Sequence, residues 1–235
     1  MKRTSKTALI VPVYNEEKVI TKVLRDLQSK AQSNNYLIIV IDDGSTDKTL
    51  ERVQSLKKIV ILRHLINMGQ GAAVRTGLTY ARRVGCNYAV TMDSDGQHDT
   101  MDVLKLAKLI QNSEYDMIVG SRLIDSKGMP WYRIAGNKFL GTITFLLFGV
   151  NVSDSQSGMR ALNASALDTL HFSSNRYAFC SEMIWQAKRA GLKTGEAPIK
   201  AIYTDYSLKK GQRNIDALPI LRQLLKRRFM DLINE

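Results

Sequence analysis

Asp93 and Asp95 are the residues whose type and spacing point most directly to chemistry. They follow the mostly apolar residues 88–92, and Gly96 stands directly behind the second acid. Two carboxylates one residue apart can share a divalent cation, because Mg²⁺ and Mn²⁺ prefer oxygen ligands and Mg²⁺ commonly takes one or two carboxylates together with substrate phosphates. Gly96 lets the chain turn so that Gln97 reaches the same point. We therefore predict a site for Mg²⁺ or Mn²⁺ at Asp93, Asp95 and Gln97.

The same acids also have a structural explanation. Asp93, Asp95 and Asp99 could form a turn and cap a helix that begins near Met101, because short acidic side chains accept hydrogen bonds from the free backbone N–H groups at a helix start. We expect Asp99 to have only this role. For Asp93 and Asp95, the further motifs described below favour the metal site.

Strands and helices are predicted to alternate along the N-terminal half of the chain. Apolar runs typical of buried strands occupy residues 7–13, 36–41, 59–62 and 87–92, and apolar residues at helical spacing follow them. The first helix is expected directly after Asn15, a candidate N-cap. This alternation predicts an α/β fold whose mostly parallel sheet is covered by helices, of the nucleotide-binding type.

Polar or flexible residues follow each of these strands. They occupy residues 14–16, 42–45, 67–71 and 93–97. Open α/β sheets bind ligands at the carboxyl ends of their strands, so we expect these four segments to line one site. The loop at residues 67–71 lacks the lysine and the spacing of a P-loop, and no dinucleotide fingerprint follows the first strand. The missing lysine and spacing argue against a P-loop NTPase.

The composition is that of a globular protein with an unusual charge. The 235 residues include 34 Lys and Arg against 22 Asp and Glu, a net charge of +12. Such an excess indicates nucleic acid, an anionic membrane surface or a phosphorylated substrate. No basic and aromatic pattern of a nucleic-acid module is present, and the acids at residues 93–99 would repel a phosphate backbone, so we expect no nucleic-acid partner.

The cysteine content and the apolar runs bear on location. Two cysteines are too few for a disulfide framework, which fits a reducing compartment. The apolar run after the basic N-terminus is too short for a signal peptide, and no run reaches the ~18 apolar residues of a spanning helix. We expect a cytoplasmic protein that is soluble or peripheral to a membrane.

Six motifs together resemble one enzyme family. They are residues 11–16 (VPVYNE), 42–47 (DDGSTD), 67–71 (NMGQG), 93–98 (DSDGQH), 120–122 (GSR) and 157–160 (SGMR). In this order and spacing they resemble the family 2 glycosyltransferases of the Rossmann-like GT-A fold, most closely the branch similar to dolichyl-phosphate mannose synthase. Members of that branch move a sugar from a nucleotide donor to a polyprenyl phosphate.

The resemblance implies which residues bind the donor and the metal. Donor binding is implied for Pro12, Tyr14, Glu16, Asp43, Gly71 and Asp93. A carboxylate facing a base edge accepts hydrogen bonds from ring imino and amino groups, which suits Glu16 and Asp43. Alternatively, Glu16 favours a helix dipole as a first-turn acid. Asp95 resembles the acid that binds the metal directly, with Asp93 and Gln97 beside it.

The resemblance also implies a set of acceptor-binding and catalytic residues. Acceptor phosphate binding is implied for Arg122, Arg133, Asn137, Arg160, Ser207, Lys210 and Arg213. For Arg133 the alternative is an ordinary solvated arginine, and Arg160 could instead brace its own loop. The candidate catalytic residues are Asp95, Arg122 and Glu182. Glu182 would be a general base if the acceptor were a sugar hydroxyl, whereas a phosphate acceptor is already an anion and needs no strong base.

Two segments could contact a membrane. Residues 139–150 are the most apolar stretch and would form either an interfacial helix or a buried core helix. Residues 213–235 carry apolar residues on one broad face with basic residues among them, which predicts an amphipathic helix after a catalytic domain of residues 1–212. This helix could contact a membrane surface or a small membrane-protein partner, or it could pack onto the catalytic domain with its basic residues solvated.

The sequence leads to one function and two rivals. We predict inverting, metal-dependent transfer of a hexose from a GDP- or UDP-linked donor to a dolichyl or undecaprenyl phosphate at the cytoplasmic membrane face. The first rival is a family 2 transferase that acts on a sugar hydroxyl in cell-surface polysaccharide or glycolipid synthesis. The second rival is a sugar nucleotidyltransferase, which shares a nucleotide-binding sheet and metal-binding acids.

Overall fold

A computed structural model describes residues 4–32, 35–127, 129–150 and 152–202 of the chain. Its strands are β1 (Thr4–Val13), β2 (Tyr36–Asp42), β3 (Val60–Arg63), β4 (Cys86–Thr91), β5 (Met117–Ser121), β6 (Arg160–Leu162) and β7 (Thr194–Pro198). They form a single sheet in the order β3-β2-β1-β4-β6-β5-β7. β6 pairs antiparallel with β4 and β5, and the other pairs are parallel. The predicted mixed, mostly parallel sheet is confirmed.

Helices cover both faces of this sheet. They are α1 (Ile20–Lys30), α2 (Thr49–Gln54), α3 (Gln70–Arg83), α4 (Thr100–Gln111), α5 (Trp131–Phe148), α6 (Ala164–Thr169) and α7 (Phe179–Arg189). The predicted capping role of Asp99 is confirmed, because its side chain accepts a hydrogen bond from the Met101 backbone N–H at 2.9 Å.

The start of α1 differs from the prediction. The helix begins at Ile20, and its N-cap residue is Val19 rather than Asn15. Asn15 has a positive φ of 52°, and its side-chain oxygen accepts a hydrogen bond from the Thr46 backbone N–H at 2.8 Å. The Asn15 side chain thus ties the end of β1 to the loop after β2. Glu16 therefore lies before the helix and does not act as a first-turn acid.

The interior strand β1 is buried on both of its faces. Ala8, Leu9, Ile10 and Val11 are all fully buried. Ala8 and Ile10 join the apolar core under α3, α6 and α7, whereas Leu9 and Val11 join the core under α1 and α4. A strand buried on both faces needs a continuous apolar run, which is the pattern that predicted it. The two cores fix the edge where β1, β2, β4 and β5 end.

The helix α5 presents apolar side chains to solvent. Leu140 and Thr144 are buried, but Phe139 is 59% exposed and Leu146 is 74% exposed. This exposure contradicts a fully buried core helix, one of the two alternatives for residues 139–150. In the described part of the chain, no helix is both long and apolar enough to cross a membrane. The predicted helix at residues 213–235, and with it the domain boundary, lies outside the described residues.

Candidate active site

A cleft of about 470 Å³ opens at the carboxyl ends of β1, β2, β4 and β5. The predicted site residues that line it are Pro12, Tyr14, Glu16, Asp43, Asp93, Asp95, Gln97, Arg122, Arg133 and Asn137. The parallel strands end at one edge, so segments far apart in sequence meet there. The four polar segments singled out in the sequence all contribute to this one cleft.

Asp95 lies in the cleft wall at the end of β4. Its two carboxylate oxygens accept hydrogen bonds from the backbone N–H and the side-chain amide of Gln97, at 2.9 and 2.6 Å. Burial raises the pKa of Asp95 above its usual value, and the neighbouring charges of Asp93 and Glu16 raise it further. The carboxylates of Asp93, Asp95 and Glu16 therefore concentrate negative charge in this part of the cleft.

Asp93 is held in place by two residues that the sequence reasoning missed. The side-chain amide of Gln70 donates to Asp93 Oδ1 at 2.5 Å, and His98 Nε2 lies 3.4 Å from Asp93 Oδ2. Gln70 belongs to the 67–71 motif and His98 to the 93–98 motif. The sequence does not show, however, that Gln70, at the start of α3, lies close to Asp93. Only the packing of α3 against the sheet brings Gln70 to Asp93.

The donor groups at this edge fit a hard divalent cation. Asp93 and Asp95 supply carboxylate oxygens, and the raised pKa of Asp95 indicates a carboxylate whose charge a cation would stabilise. Among the described residues, no three Asp, Glu, His or Cys side chains are grouped to hold a metal ion. Further ligands would come from Gln97, from water and from substrate phosphates, as is usual for Mg²⁺.

Asp43 is buried and holds the loop that leads into α3. Its Oδ1 accepts a hydrogen bond from the Met68 backbone N–H at 2.9 Å, and its Oδ2 accepts one from the Gly69 N–H at 2.8 Å. His64 Nδ1 lies 2.7 Å from Asp43 Oδ1. Asp43 thus shapes the cleft by fixing this loop, in addition to lining the cleft itself.

Arg122 follows β5 and is oriented by a buried partner, Asp154. The Arg122 Nε and Nη2 atoms donate to the two Asp154 oxygens at 2.7 and 2.9 Å, and Asp154 is fully buried. The neighbouring Ser153 backbone N–H donates to Glu196 Oε1 on β7 at 2.8 Å. A bidentate contact of this kind fixes the plane of the guanidinium. No motif in the sequence indicated Asp154, which lies in the loop after α5.

Of the predicted site residues that the structure describes, three lie outside the cleft lining. Gly71 is buried in the first turn of α3, and a Cβ atom there would be 2.3 Å from the Ser174 carbonyl oxygen. Arg160 is fully buried in β6, where its Nη2 donates to the Ser155 carbonyl at 2.9 Å. Gly71 therefore permits close packing with the loop at Ser174, and its donor contact stays a prediction. Arg160 braces its own loop rather than facing an acceptor.

Glu182 also lies outside the cleft lining. It is 1% exposed, and its two carboxylate oxygens accept hydrogen bonds from the backbone N–H groups of Ser173 and Ser174 at 2.7 and 2.9 Å. A general base must reach the proton that it removes. The buried, hydrogen-bonded position of Glu182 argues against that role.

The last described segment reaches the loop that carries Asp95 and Gln97. The Ile202 backbone N–H donates to the Gln97 carbonyl at 2.8 Å, and the Lys200 N–H donates to Asp102 Oδ2 at 2.7 Å. Ser207, Lys210 and Arg213 lie outside the described residues. Their contact with phosphate stays a prediction.

Two relatives combine strong similarity with a named activity. The dolichyl-phosphate N-acetylglucosaminyltransferase of Methanococcus voltae, which uses UDP-N-acetylglucosamine, is 40% identical over 92% of this chain and 94% of its own length. The polyprenol monophosphomannose synthase of Mycolicibacterium smegmatis is 28% identical over 83% of this chain and 77% of its own length.

A solved structure and a family model complete the comparison. Glucosyl-3-phosphoglycerate synthase from Mycobacterium tuberculosis, solved with Mn²⁺, UDP and its product, superposes with a TM-score of 0.68. The aligned region covers 94% of this chain and 77% of the synthase, with 20% sequence identity. The similarity therefore establishes a shared GT-A fold. The model of glycosyl transferase family 2 matches residues 8–170. The chain is therefore a glycosyltransferase and belongs to glycosyl transferase family 2.

Proposed function

We propose that this glycosyltransferase moves a hexose from a nucleotide sugar to a polyprenyl phosphate, with inversion at the anomeric carbon. One observation carries the proposal: a single cleft has carboxylates at one end and arginines beside apolar side chains at the other. Asp43, Asp93 and Asp95 follow β2 and β4, whereas Arg122 follows β5. A nucleotide sugar suits the acidic end, and a lipid-linked phosphate suits the other.

The acceptor end combines charge with apolar surface. Arg122 and Arg133 line the cleft together with Met129, Phe139 and Leu140. A planar guanidinium binds phosphate oxygens in a bidentate manner, and apolar side chains accommodate the start of a polyprenyl chain. Relatives that act on dolichyl phosphate and make polyprenol monophosphomannose support this class of acceptor.

The proposed reaction is a direct displacement. An oxygen of the acceptor phosphate attacks the anomeric carbon as the bond from that carbon to the donor diphosphate oxygen breaks, so the products are a lipid phosphosugar and a nucleoside diphosphate. The attacking phosphate is already an anion, and no proton has to be removed from it. The buried position of Glu182 is consistent with a reaction that uses no general base.

The acids at the donor end would hold a divalent cation. Asp95, with Asp93 and Gln97 beside it, is the proposed site for Mg²⁺ or Mn²⁺. When bound there, the cation would neutralise the donor diphosphate and make the nucleoside diphosphate a better leaving group. Gln70 and His98 keep the Asp93 carboxylate in the cleft wall, and Asp154 orients Arg122. These residues pre-organise the two ends of the cleft.

The exposed apolar face of α5 supports a proposed contact between this side of the cleft and a membrane. Phe139 lines the cleft and is also 59% exposed, and Leu146 on the same helix is 74% exposed. Apolar side chains next to a lipid-binding site suit the interfacial layer of a bilayer. The proposed location is therefore peripheral, at the cytoplasmic face of a membrane.

Transfer with labelled donors tests the proposal. Purified enzyme is incubated with Mg²⁺, a polyprenyl phosphate and either UDP-N-acetylglucosamine, UDP-glucose or GDP-mannose. We expect a labelled lipid that mild acid cleaves, together with release of nucleoside diphosphate. UDP-N-acetylglucosamine is the first donor to test, because the Methanococcus voltae relative uses it. Labelled oligosaccharide without labelled lipid phosphosugar would favour the sugar-hydroxyl rival, and release of pyrophosphate would favour a nucleotidyltransferase.

A further inference from the structure

The loop at residues 172–177, between α6 and α7, is anchored on two sides. From α7, Glu182 accepts hydrogen bonds from the Ser173 and Ser174 backbone N–H groups at 2.7 and 2.9 Å. From α3, Arg75 Nη2 donates to the Asn175 side-chain oxygen at 2.8 Å, and Arg75 Nη1 donates to the Phe172 carbonyl at 3.3 Å. Such anchoring gives the loop a defined position on α3.

Two glycines bring this loop unusually close to the start of α3. Gly69 has a φ of 98°, and a Cβ atom there would be 2.4 Å from the Asn175 carbonyl oxygen. The corresponding distance at Gly71 is 2.3 Å, to the Ser174 carbonyl oxygen. Side chains at either position would push the loop away. The glycines of the 67–71 motif therefore make room for a second loop.

The anchored loop carries Arg176 into the cleft wall. Arg176 lines the cleft, and its Cγ lies 3.1 Å from where a Gly69 Cβ would stand. Within the described parts of the chain, the Arg176 guanidinium makes no ion pair or hydrogen bond. Arg122, by contrast, is held by Asp154. Arg176 is thus a cation in the cleft wall whose donors are open to a ligand.

The neighbours of Arg176 place it on the donor side. Gly69, which it packs against, donates its N–H to Asp43 Oδ2, and the next residue, Gln70, donates to Asp93. The proposed acceptor residues instead follow β5 and lie on α5. An anion that meets Arg176 therefore belongs to the nucleotide sugar.

We propose that Arg176 binds the diphosphate of the nucleotide-sugar donor, and that Glu182 and Arg75 are positioning residues that act through the 172–177 loop. The inference rests on the proposed function, since it assigns a further contact in the same cleft. The guanidinium supplies paired N–H donors that match phosphate oxygens. Glu182 influences transfer without touching substrate.

The first test measures donor and acceptor KM separately for Arg176→Ala and Arg176→Lys. Loss of one charge-assisted contact should raise the donor KM about 10-fold to 100-fold and leave the acceptor KM within about twofold. Arg176→Lys keeps the positive charge but loses the planar, paired N–H donors, so it should raise the donor KM less than Arg176→Ala does. Arg83→Ala is the matched control, because Arg83 is exposed in the last turn of α3. An unchanged donor KM in Arg176→Ala would overturn the assignment.

The second test asks whether Glu182 acts through Arg176. Glu182→Gln should raise the donor KM in the single variant but add little in Arg176→Ala, because residues that act as a unit are not additive. Fully additive effects would contradict the positioning role. Arg75→Ala, which loosens the same loop from α3, should behave in the same way and replaces Glu182→Gln if that variant does not fold.

Direct binding keeps this inference separate from the proposed reaction. Calorimetric titration with UDP and with GDP, each with Mg²⁺, should give weaker binding in Arg176→Ala than in the wild type. This comparison holds even if the acceptor is not a polyprenyl phosphate. Equal binding by both proteins, or no binding by the wild type, would overturn the role of Arg176. Wild-type binding without transfer to polyprenyl phosphate would count against the proposed function alone.

Discussion

Replacing Asp154 by alanine should destabilise the protein strongly. Asp154 is fully buried, and its carboxylate accepts hydrogen bonds from Arg122 Nε, Nη2 and backbone N–H at 2.7, 2.9 and 3.2 Å. Removing one partner of a buried ion pair costs about 3–5 kcal/mol, because the remaining charge is left uncompensated. The Arg122 side chain is 16% exposed, so some water reaches it and the lower end of this range applies.

The expected change is large enough to measure by thermal unfolding. A loss of about 3 kcal/mol corresponds to a decrease in Tm of about 6–12 °C for a domain of this size. Urea unfolding without ligands should give the same loss of unfolding free energy. Asp125→Ala is the control, because Asp125 is exposed in the same β5–α5 connection and its loss should cost less than about 0.5 kcal/mol.

The milder variant Asp154→Asn separates stability from function. Asparagine keeps an acceptor oxygen but loses the charge that holds the Arg122 fork, so the acceptor KM should rise with a smaller loss of Tm. A rise in the donor KM instead of the acceptor KM would indicate that Arg122 binds the donor, which contradicts its proposed role. A Tm of Asp154→Ala within 2 °C of the wild type corresponds to a loss of about 1 kcal/mol or less. That result would contradict the predicted contribution of the buried ion pair to stability.

Three further perturbations follow from the site. Asp95→Asn removes a partly buried carboxylate beside Asp93, so in EDTA its unfolding free energy should rise by about 0.5–2 kcal/mol while transfer is lost. A less stable variant would contradict the charge argument. Gly71→Ala should cost about 1–3 kcal/mol in urea unfolding, because its Cβ would meet the Ser174 carbonyl at 2.3 Å, and an unchanged midpoint would refute that contact. Burial raises the pKa of Cys180 to about 11 from 9.0. The folded state therefore keeps this proton where the unfolded state loses it, so stability should fall as pH rises from about 9 to about 11, and a Cys180→Ser variant should lose less over that interval in pH-dependent urea unfolding.

The sequence predicted what depends on neighbouring residues in the chain. The strand ends, the Asp99 cap and the gathering of the acids follow from apolar runs and from polar residues placed after them. The glycosyltransferase family and the mixed sheet were likewise predicted and are confirmed. These features need no knowledge of which helix packs against which strand.

The sequence could not predict contacts that depend on packing. Asp154 reaches Arg122 across 32 positions, and Gln70 reaches Asp93 across 23. The family resemblance implied that Glu182 lies near the acceptor, but its carboxylate accepts hydrogen bonds from the backbone of residues 173–174. Arg160 belongs to a short antiparallel strand and is fully buried, although arginines in turns are commonly exposed.

The most direct test of the account is cation-dependent transfer by the wild type and by Asp95→Ala. Both proteins are stripped with EDTA, supplied with UDP-N-acetylglucosamine and a polyprenyl phosphate, and assayed with and without added Mg²⁺ or Mn²⁺. We predict lipid phosphosugar formation by the wild type only when the cation is restored, and at least a 100-fold lower rate in Asp95→Ala, as expected when about 2.7 kcal/mol or more of transition-state stabilisation is lost. Equal rates in the two proteins, or full wild-type activity in EDTA, would contradict the claim that Asp95 holds a cation at the donor diphosphate.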